Sequence, residues 1–467
     1  MSVDSSARLQ NIKRLRTLTR SVEQLVPQHM HLLEHLLFEG LRLEAENEFE
    51  RMCKLQILSA DAFEALAFYA RRLDKHELSN DYYKKSTALA PDDPKFWHNL
   101  ATSERSLGRT EEAVEACNEA IKRGGDPFPT ILLRSDCRRA TSDCNHVSDL
   151  RDWLAKSRND REKMFAGYAL GKELHDIEEF AQAFEAFRIG AEARRRNLSY
   201  DVTEDEHKIS RIIELYREIP RETARSRSAA EHIFIVGLPR SGTTLTERIL
   251  LGLPETVSNG ETDNFASALI HSASTVGGDL FERCANAVPS SVSDDYCRRA
   301  NPRGTNQSII EKLPMNYLYA GAIARSLKSA KIIWVRRHPV DSCFAMYRTL
   351  FAEAYPFSYD FSDLARYYAA YQKLMWHWVE QMPEVMLTVD YEELVNDPTK
   401  VGQRMAEHCN LAWIDSATEI SRVGEASLTA SASQIRENIY TRSSGIWQHY
   451  EKELRPLVSE LKNAEVL

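Results

Sequence analysis

The sequence has no stretch approaching the roughly 20 consecutive apolar residues that cross a bilayer. Its longest apolar runs, around Ile233 to Val236 and Ile332 to Val335, have the length of buried strands. The opening MSVDSSARLQNIKRLRTLTR lacks the apolar core and small-residue cleavage site of a secretory leader. Its eight cysteines are scattered without a CxxC pair, so their spacing offers neither a zinc site nor a disulfide framework. Reduced thiols in a cytoplasmic protein with no membrane anchor are the expectation. Positive charge is not in surplus either. A formal net charge of -9 argues against a protein devoted to nucleic-acid binding, although an acidic chain can still hold a local basic pocket.

What the sequence does have is length and internal repetition. At 467 residues it exceeds one ordinary core, so two domains are expected. Phe63, Leu66 and Ala67 recur as Trp97, Leu100 and Ala101, each displaced by 34 residues, the tetratricopeptide period. The same register places Gly40 against Gly108 and Ala45 against Ala113. The clearest copy, PKFWHNLATSERSLGRTEEAVEACNEAIK, reads as two amphipathic helices turning at Leu107-Gly108-Arg109. Small residues (Ala101, Ala113, Ala120) let paired helices approach, and large ones (Trp97, Leu100) fill the groove of the next unit. A less regular copy spans residues 164 to 193, while Asp136 to Asp152 fits the register poorly. Three to four repeats give an all-α domain over residues 1–220, whose concave face would receive a protein or peptide partner. A last helix, Glu204 to Glu218, leads to Pro220, and the polar segment Arg221 to Ala230 reads as a connection.

From His232 the pattern changes. HIFIV, SIIEKLP (Ser308 to Pro314), KIIWV (Lys331 to Val335) and VMLTV (Val385 to Val389) read as short buried strands alternating with helices. The helices are expected after Thr243, from Asn316 to Leu327, and from Asp341 to about Phe351. This is an α/β domain over residues 230–467, with a parallel sheet covered on both faces and ligands at the carboxyl ends of its strands.

Directly after the first strand, GLPRSGTT (Gly237 to Thr244) has the glycine spacing of a phosphate loop opening a helix. Backbone N–H groups in such a loop, with the helix N-terminus, receive anionic oxygens. The usual lysine is replaced by Thr243. The strand that would end in a magnesium-binding aspartate ends instead in Arg336-Arg337, residues suited to a further anion. An ATP-dependent P-loop kinase is therefore the lesser enzymatic reading.

PRSGTTL, RRHPVDSCFAMY, TVDYEELVNDP and TRSSGIWQHYEKEL, in this order between residues 232 and 455, resemble the recurrent motifs of sulfotransferases. The resemblance implies a P-loop-like, parallel-sheet sulfotransferase domain preceded by the tetratricopeptide-repeat domain. The combination looks like repeat-plus-sulfotransferase proteins related to tyrosylprotein sulfotransferases. The implied donor is 3′-phosphoadenosine-5′-phosphosulfate (PAPS), with no metal required.

Carried over by position, Arg240, Ser241, Gly242, Thr243 and Thr244 would hold the phosphosulfate, and Arg337 the 3′-phosphate. Where the family has a serine for that phosphate this chain has Ala345, leaving Ser342, Arg348 or Arg442 as replacement donors. Tyr391 and the Arg442-Ser443-Ser444-Gly445 turn fall on the nucleoside side, although Tyr391 also reads as a core tyrosine. Lys312, before Leu-Pro, would stabilise charge on the bridging oxygen, and Arg240 would share that work. The plainer reading of Lys312 is a solvated strand-end lysine.

Glu261, in SNGETDNF, resembles the catalytic glutamate of tyrosylprotein sulfotransferases and would take the acceptor's proton. Its plainer reading is a loop or capping carboxylate. Two residues on, Asp263 replaces the arginine that helps place a tyrosine peptide in those enzymes. The implied reaction moves a sulfuryl group to a hydroxyl, with protein tyrosine as the foremost acceptor. A carbohydrate, lipid or small-molecule hydroxyl is the alternative, and a catalytically degenerate repeat scaffold is the reading outside catalysis.

Overall fold

A computed structural model describes residues 10–16, 26–55, 59–219, 231–274, 276–351, 353–420 and 444–467. In the first part of the chain, helices α1 (Val26–Phe38), α3 (Ala60–Arg72), α5 (Pro94–Leu107) and α7 (Phe128–Cys137) begin 34 residues apart. Their partners are α2 (Arg42–Cys53), α4 (His76–Leu89) and α6 (Thr110–Lys122). The reversals obey the same period. Gly40, Asp74 and Gly108 all have positive φ, at 67°, 58° and 73°. Glycine meets that left-handed turn without a Cβ penalty, whereas Asp74 incurs it. Ser59 and Asp93 cap α3 and α5 by accepting the N–H groups of Ala62 and Lys95. Leu66, Ala67, Leu100, Ala101 and Ala113 are buried together, as the repeat register requires.

The register stops after α7. The next helices are α8 (Val147–Lys156), α9 (Asp160–Asp176), α10 (Phe180–Arg196) and α11 (Val202–Leu215). α9 and α10 are in near backbone contact: a Cβ at Gly167 would stand 2.8 Å from the Ala186 carbonyl oxygen. The chain separates into two compact units, and the main break follows Arg138. The helices from α8 to α11 therefore share a unit with the sheet, whereas the sequence changes pattern only at residues 220–230. The packing explains why. Tyr168 on α9 donates to the Tyr347 carbonyl at 3.0 Å, Arg195 on α10 pairs with Asp363 at 2.8 Å, and Tyr216 lies against Trp378.

The sheet has five parallel strands, β1 (His232–Val236), β2 (Thr256–Ser258), β3 (Ser308–Glu311), β4 (Lys331–Arg336) and β5 (Met386–Asp390), in the order β2-β3-β1-β4-β5. β2 is not evident in the sequence: its three residues, TVS, are too few to alternate visibly. The expected helix from Asn316 begins as a 3-10 turn (Pro314–Tyr319) before α16 (Ala320–Ser326), because Pro314 opens it. The other helices of this unit include α12 (Thr243–Leu251), α13 (Asn264–Ala273), α14 (Leu280–Ala285), α15 (Pro289–Ala300), α17 (Pro339–Tyr347) and α18 (Phe361–Gln381). β1 is buried at every residue and lies in the middle of the sheet. The chain leaves β1 past β3 to β2, returns to β3, and then crosses over β1 to β4, so its direction across the sheet reverses beside β1. A crevice at the carboxyl ends follows from that reversal.

Candidate active site

The loop after β1 is the first component. Gly237 donates to the Pro314 carbonyl at 3.3 Å, tying the start of the loop to the 3-10 turn that follows β3. Arg240 is left-handed at φ 66°, a costly conformation for a side chain with a Cβ and one that collects at functional turns. Gly242 has φ 108°, and a Cβ there would stand 2.4 Å from the ring of Tyr391. Ser241 is 1% exposed, and its Oγ has no hydrogen-bond partner among the described residues. Thr243 and Thr244 open α12 with no side-chain cap on its first N–H groups. An uncapped helix start, a buried unsatisfied hydroxyl and a loop with no room for a Cβ fit a bound anionic oxygen.

Arg337 forms the second component. It is 7% exposed, donates to the Arg240 carbonyl at 3.1 Å and lies 4.9 Å above the Tyr391 ring. Tyr391 therefore touches both the loop glycine and the arginine, a position that serves a ligand wall as well as a core. The Arg337 guanidinium also approaches Asp341 at 3.5 Å. Asp341 has other work: its two oxygens accept the N–H groups of Gly445 and Trp447, at 2.6 and 3.1 Å. Arg336 takes the opposite direction and pairs with Asp390 at the end of β5.

Ala345 is buried on α17, and Ser342 lies near the start of that helix. Arg348, just past its end, is part-buried and donates to Nε2 of His175 at 2.9 Å. Among the described residues no carboxylate lies within ion-pair distance of it, and burial pushes its pKa down. Arg442 and Ser443 lie outside the described residues.

The third component joins Lys312 to two carboxylates. Lys312 is 1% exposed, which removes the reading of a solvated strand-end lysine. Its Nζ pairs with Oε1 of Glu261 and lies 3.6 Å from Oε2 of Glu247. Glu261 is the open side of this cluster, its side chain 42% exposed against 10% for Glu247. Burial raises the pKa of Glu247, while Lys312 and the Ser258 hydroxyl, 2.6 Å from its Oε1, oppose the rise. A carboxylate facing solvent and an ammonium held behind it can accept a proton and stabilise nearby negative charge. Asp263, in place of the expected arginine, accepts from Ser267 one turn into α13.

Sequence reasoning missed Glu247 and Glu311. Glu311 had a visible signal: a charged residue directly after Ile309-Ile310 in a short buried strand needs a buried partner. Glu247 gave less, since a glutamate in a helix is ordinarily solvated.

The sheet is that of a parallel α/β domain, with the loop after β1 and Arg337 beyond the carboxyl ends of its strands. Residues 232–415 match the model of the sulfotransferase family, and residues 94–123 match that of the tetratricopeptide repeat. The chain thus carries a sulfotransferase-family domain after a helical region containing a tetratricopeptide repeat. It is 26% identical over 372 residues to an uncharacterized protein of Aquifex aeolicus (strain VF5), an alignment covering 76% of this chain and 49% of that protein. The chain spans about half the length of that curated relative. Similar solved structures include the sulfotransferase domain of the Synechococcus PCC 7002 olefin synthase, at 15% identity and a TM-score of 0.33, covering 53% of this chain and 98% of that one. A sulfotransferase from Alicyclobacillus acidocaldarius matches at 16% identity and a TM-score of 0.27, covering 52% and 96%. The domain assignment stands on the family match.

Proposed function

We propose that the protein transfers a sulfuryl group from PAPS to an acceptor hydroxyl. The observation that carries this reading is the meeting of Lys312 and Glu261 beside the loop that starts at Gly237. The residues fit the donor: Ser241 Oγ and the uncapped start of α12 suit its 5′-phosphosulfate oxygens, and Arg337 with Arg348 suits its 3′-phosphate. Arg442 is assigned to the nucleoside side by its motif alone. The donor supplies the sulfuryl group, whose bond to the acceptor oxygen forms as its bond to the bridging oxygen breaks.

Glu261 takes the proton of the acceptor hydroxyl, for which its exposure gives access. Lys312 and Arg240 offset negative charge at the bridging oxygen, a task cationic side chains perform without a metal. Tyr391 braces Gly242 and Arg337 and so fixes the distance between the two anion-holding parts. The acceptor we favour is a phenolic hydroxyl, foremost a protein tyrosine, because Glu261 retains the Gly-Glu-Thr setting and stacked helical repeats commonly present a concave surface to a peptide.

The test is transfer of labelled sulfate from PAPS, with and without a metal chelator, to a panel of tyrosine peptides, sugars and lipids. Glu261→Gln and Lys312→Ala should each lower transfer by about 100-fold or more. Full activity in both would discard these roles. Calorimetry should show binding of adenosine 3′,5′-bisphosphate in preference to ATP with magnesium.

A further inference from the structure

Beneath the exposed Glu261 lies a second carboxylate that the reaction does not use directly. Glu311, the last residue of β3, is completely buried, and burial pushes its pKa up. No cation pairs with it in the ion pairs of the described residues. Hydrogen-bond donors surround it instead. Its Oε1 accepts from Nδ2 of Asn259 at 2.8 Å and Nδ2 of Asn264 at 3.0 Å, with the Tyr296 hydroxyl at 3.5 Å. Its Oε2 accepts from the Thr262 hydroxyl at 2.5 Å. The two asparagine Nδ2 groups can only donate. Thr262 Oγ1 itself accepts from Nδ2 of Asn264 at 2.9 Å and has one proton to give to Glu311. An ionised Glu311 can accept from all of them.

Three of those four donors come from one loop, residues 259–264, and Glu261 sits in its middle. Backbone bonds complete the attachment: Asn259 donates to the Ile310 carbonyl at 2.9 Å, and Lys312 donates to the Gly260 carbonyl at 3.0 Å. Of the two exposed carboxylates in this fastened loop, Glu261 and Asp263, it is Glu261 that pairs with Lys312. A buried carboxylate without a cation is costly beside the buried apolar residues Ile309 and Ile310. What it contributes is geometric, since a single side chain grips the loop on both sides of Glu261.

We infer that Glu311 is a positioning residue, which fixes Glu261 against Lys312 by gripping Asn259, Thr262 and Asn264. This inference rests on the sulfotransferase reading for its kinetic consequence but not for its structural one. Positioning of a proton acceptor commonly carries about a 100-fold rate effect when displaced by an ångström.

The test compares Glu311→Gln and the milder Thr262→Val, each in the full-length protein, with Glu261→Gln and the double variant Glu261→Gln/Glu311→Gln. Glu311→Gln should lower kcat by about 10- to 100-fold while leaving the affinity for adenosine 3′,5′-bisphosphate unchanged. In the Glu261→Gln background it should add no further loss, because its effect passes through Glu261. Independent losses that multiply would overturn the inference. Hydrogen exchange of the 259–264 amides supplies a readout that needs no activity. Faster exchange confined to that loop in Thr262→Val supports the grip, and unchanged exchange refutes it even if the protein transfers no sulfate. Failure of the wild-type protein to bind the bisphosphate would instead sink the sulfotransferase reading alone.

Discussion

The ring of Tyr391 closes on Gly242 so tightly that a Cβ on the glycine would stand 2.4 Å from Cδ2. Gly242 is also left-handed, so alanine there meets both strain and a clash. Gly242→Ala is expected to weaken adenosine 3′,5′-bisphosphate binding by about tenfold or more, equal to about 1.4 kcal/mol. Titration calorimetry measures it. Unaltered affinity would remove this loop from the binding site.

Arg348 makes a second, narrower prediction. A charged hydrogen bond to a phosphate contributes about 1.5–3 kcal/mol. Arg348→Ala should therefore weaken adenosine 3′,5′-bisphosphate by about tenfold or more while sparing adenosine 5′-phosphate. Equal losses for both nucleotides would show that Arg348 does not meet the 3′-phosphate.

The partner of Arg348 predicts an acid limit to stability. Because arginine only donates, His175 must accept at Nε2 and carry its proton on Nδ1, which lies 2.7 Å from the Tyr450 hydroxyl. Burial first, and then Arg348, Arg139, Lys172 and His449, depress the His175 pKa to about 2. The unfolded chain binds this proton near the ordinary histidine value of about 6.5, so the unfolded state gains protons first as pH falls. Stability is whole above that value and is lost progressively below it, at up to about 1.4 kcal/mol per pH unit. Thermal melts between pH 7 and 5 should show His175→Gln, which retains an acceptor for Arg348, losing less than the wild type. Parallel curves would contradict the assignment.

The break after Arg138 predicts how the chain can be divided. A fragment beginning at Arg139 keeps α8 to α11 and should bind adenosine 3′,5′-bisphosphate as the full chain does. One beginning at Glu231 loses the partners of Tyr347, Asp363 and Trp378 and should not fold. Circular dichroism and calorimetry of the two fragments decide it, and a folded Glu231 fragment would return the functional boundary to residues 220–230.

Much of this fold is written openly in the chain, and the reasons for the exceptions are physical. The 34-residue period survives into helix starts because each repeat buries the same face against its neighbour. Gly40 and Gly108 mark their turns, but Asp74 at the same register position does not, since only its backbone carries the signal. The four main strands are visible as apolar runs, whereas TVS is too short. Periodicity announces that α9 and α11 have an apolar face but not what covers it, so their place beside the sheet is illegible. In the site, Glu261 and Lys312 can be paired only through a family resemblance, being 51 residues apart. Glu311 stands next to Lys312, yet its partners come from a loop that the sheet alone brings into reach.

The contact between Asp341 and the backbone of Gly445 joins positions 104 residues apart. During synthesis, the start of α17 and the arginine before it emerge long before the segment that completes them. A product cut short ahead of Gly445 would keep the whole sheet and the loop after β1 yet leave Asp341 without both its backbone donors. Such a fragment would also lose Tyr450, Leu454, Leu457 and Leu461, all fully buried, so the interrupted chain would be expected neither to pack this face nor to hold the nucleotide.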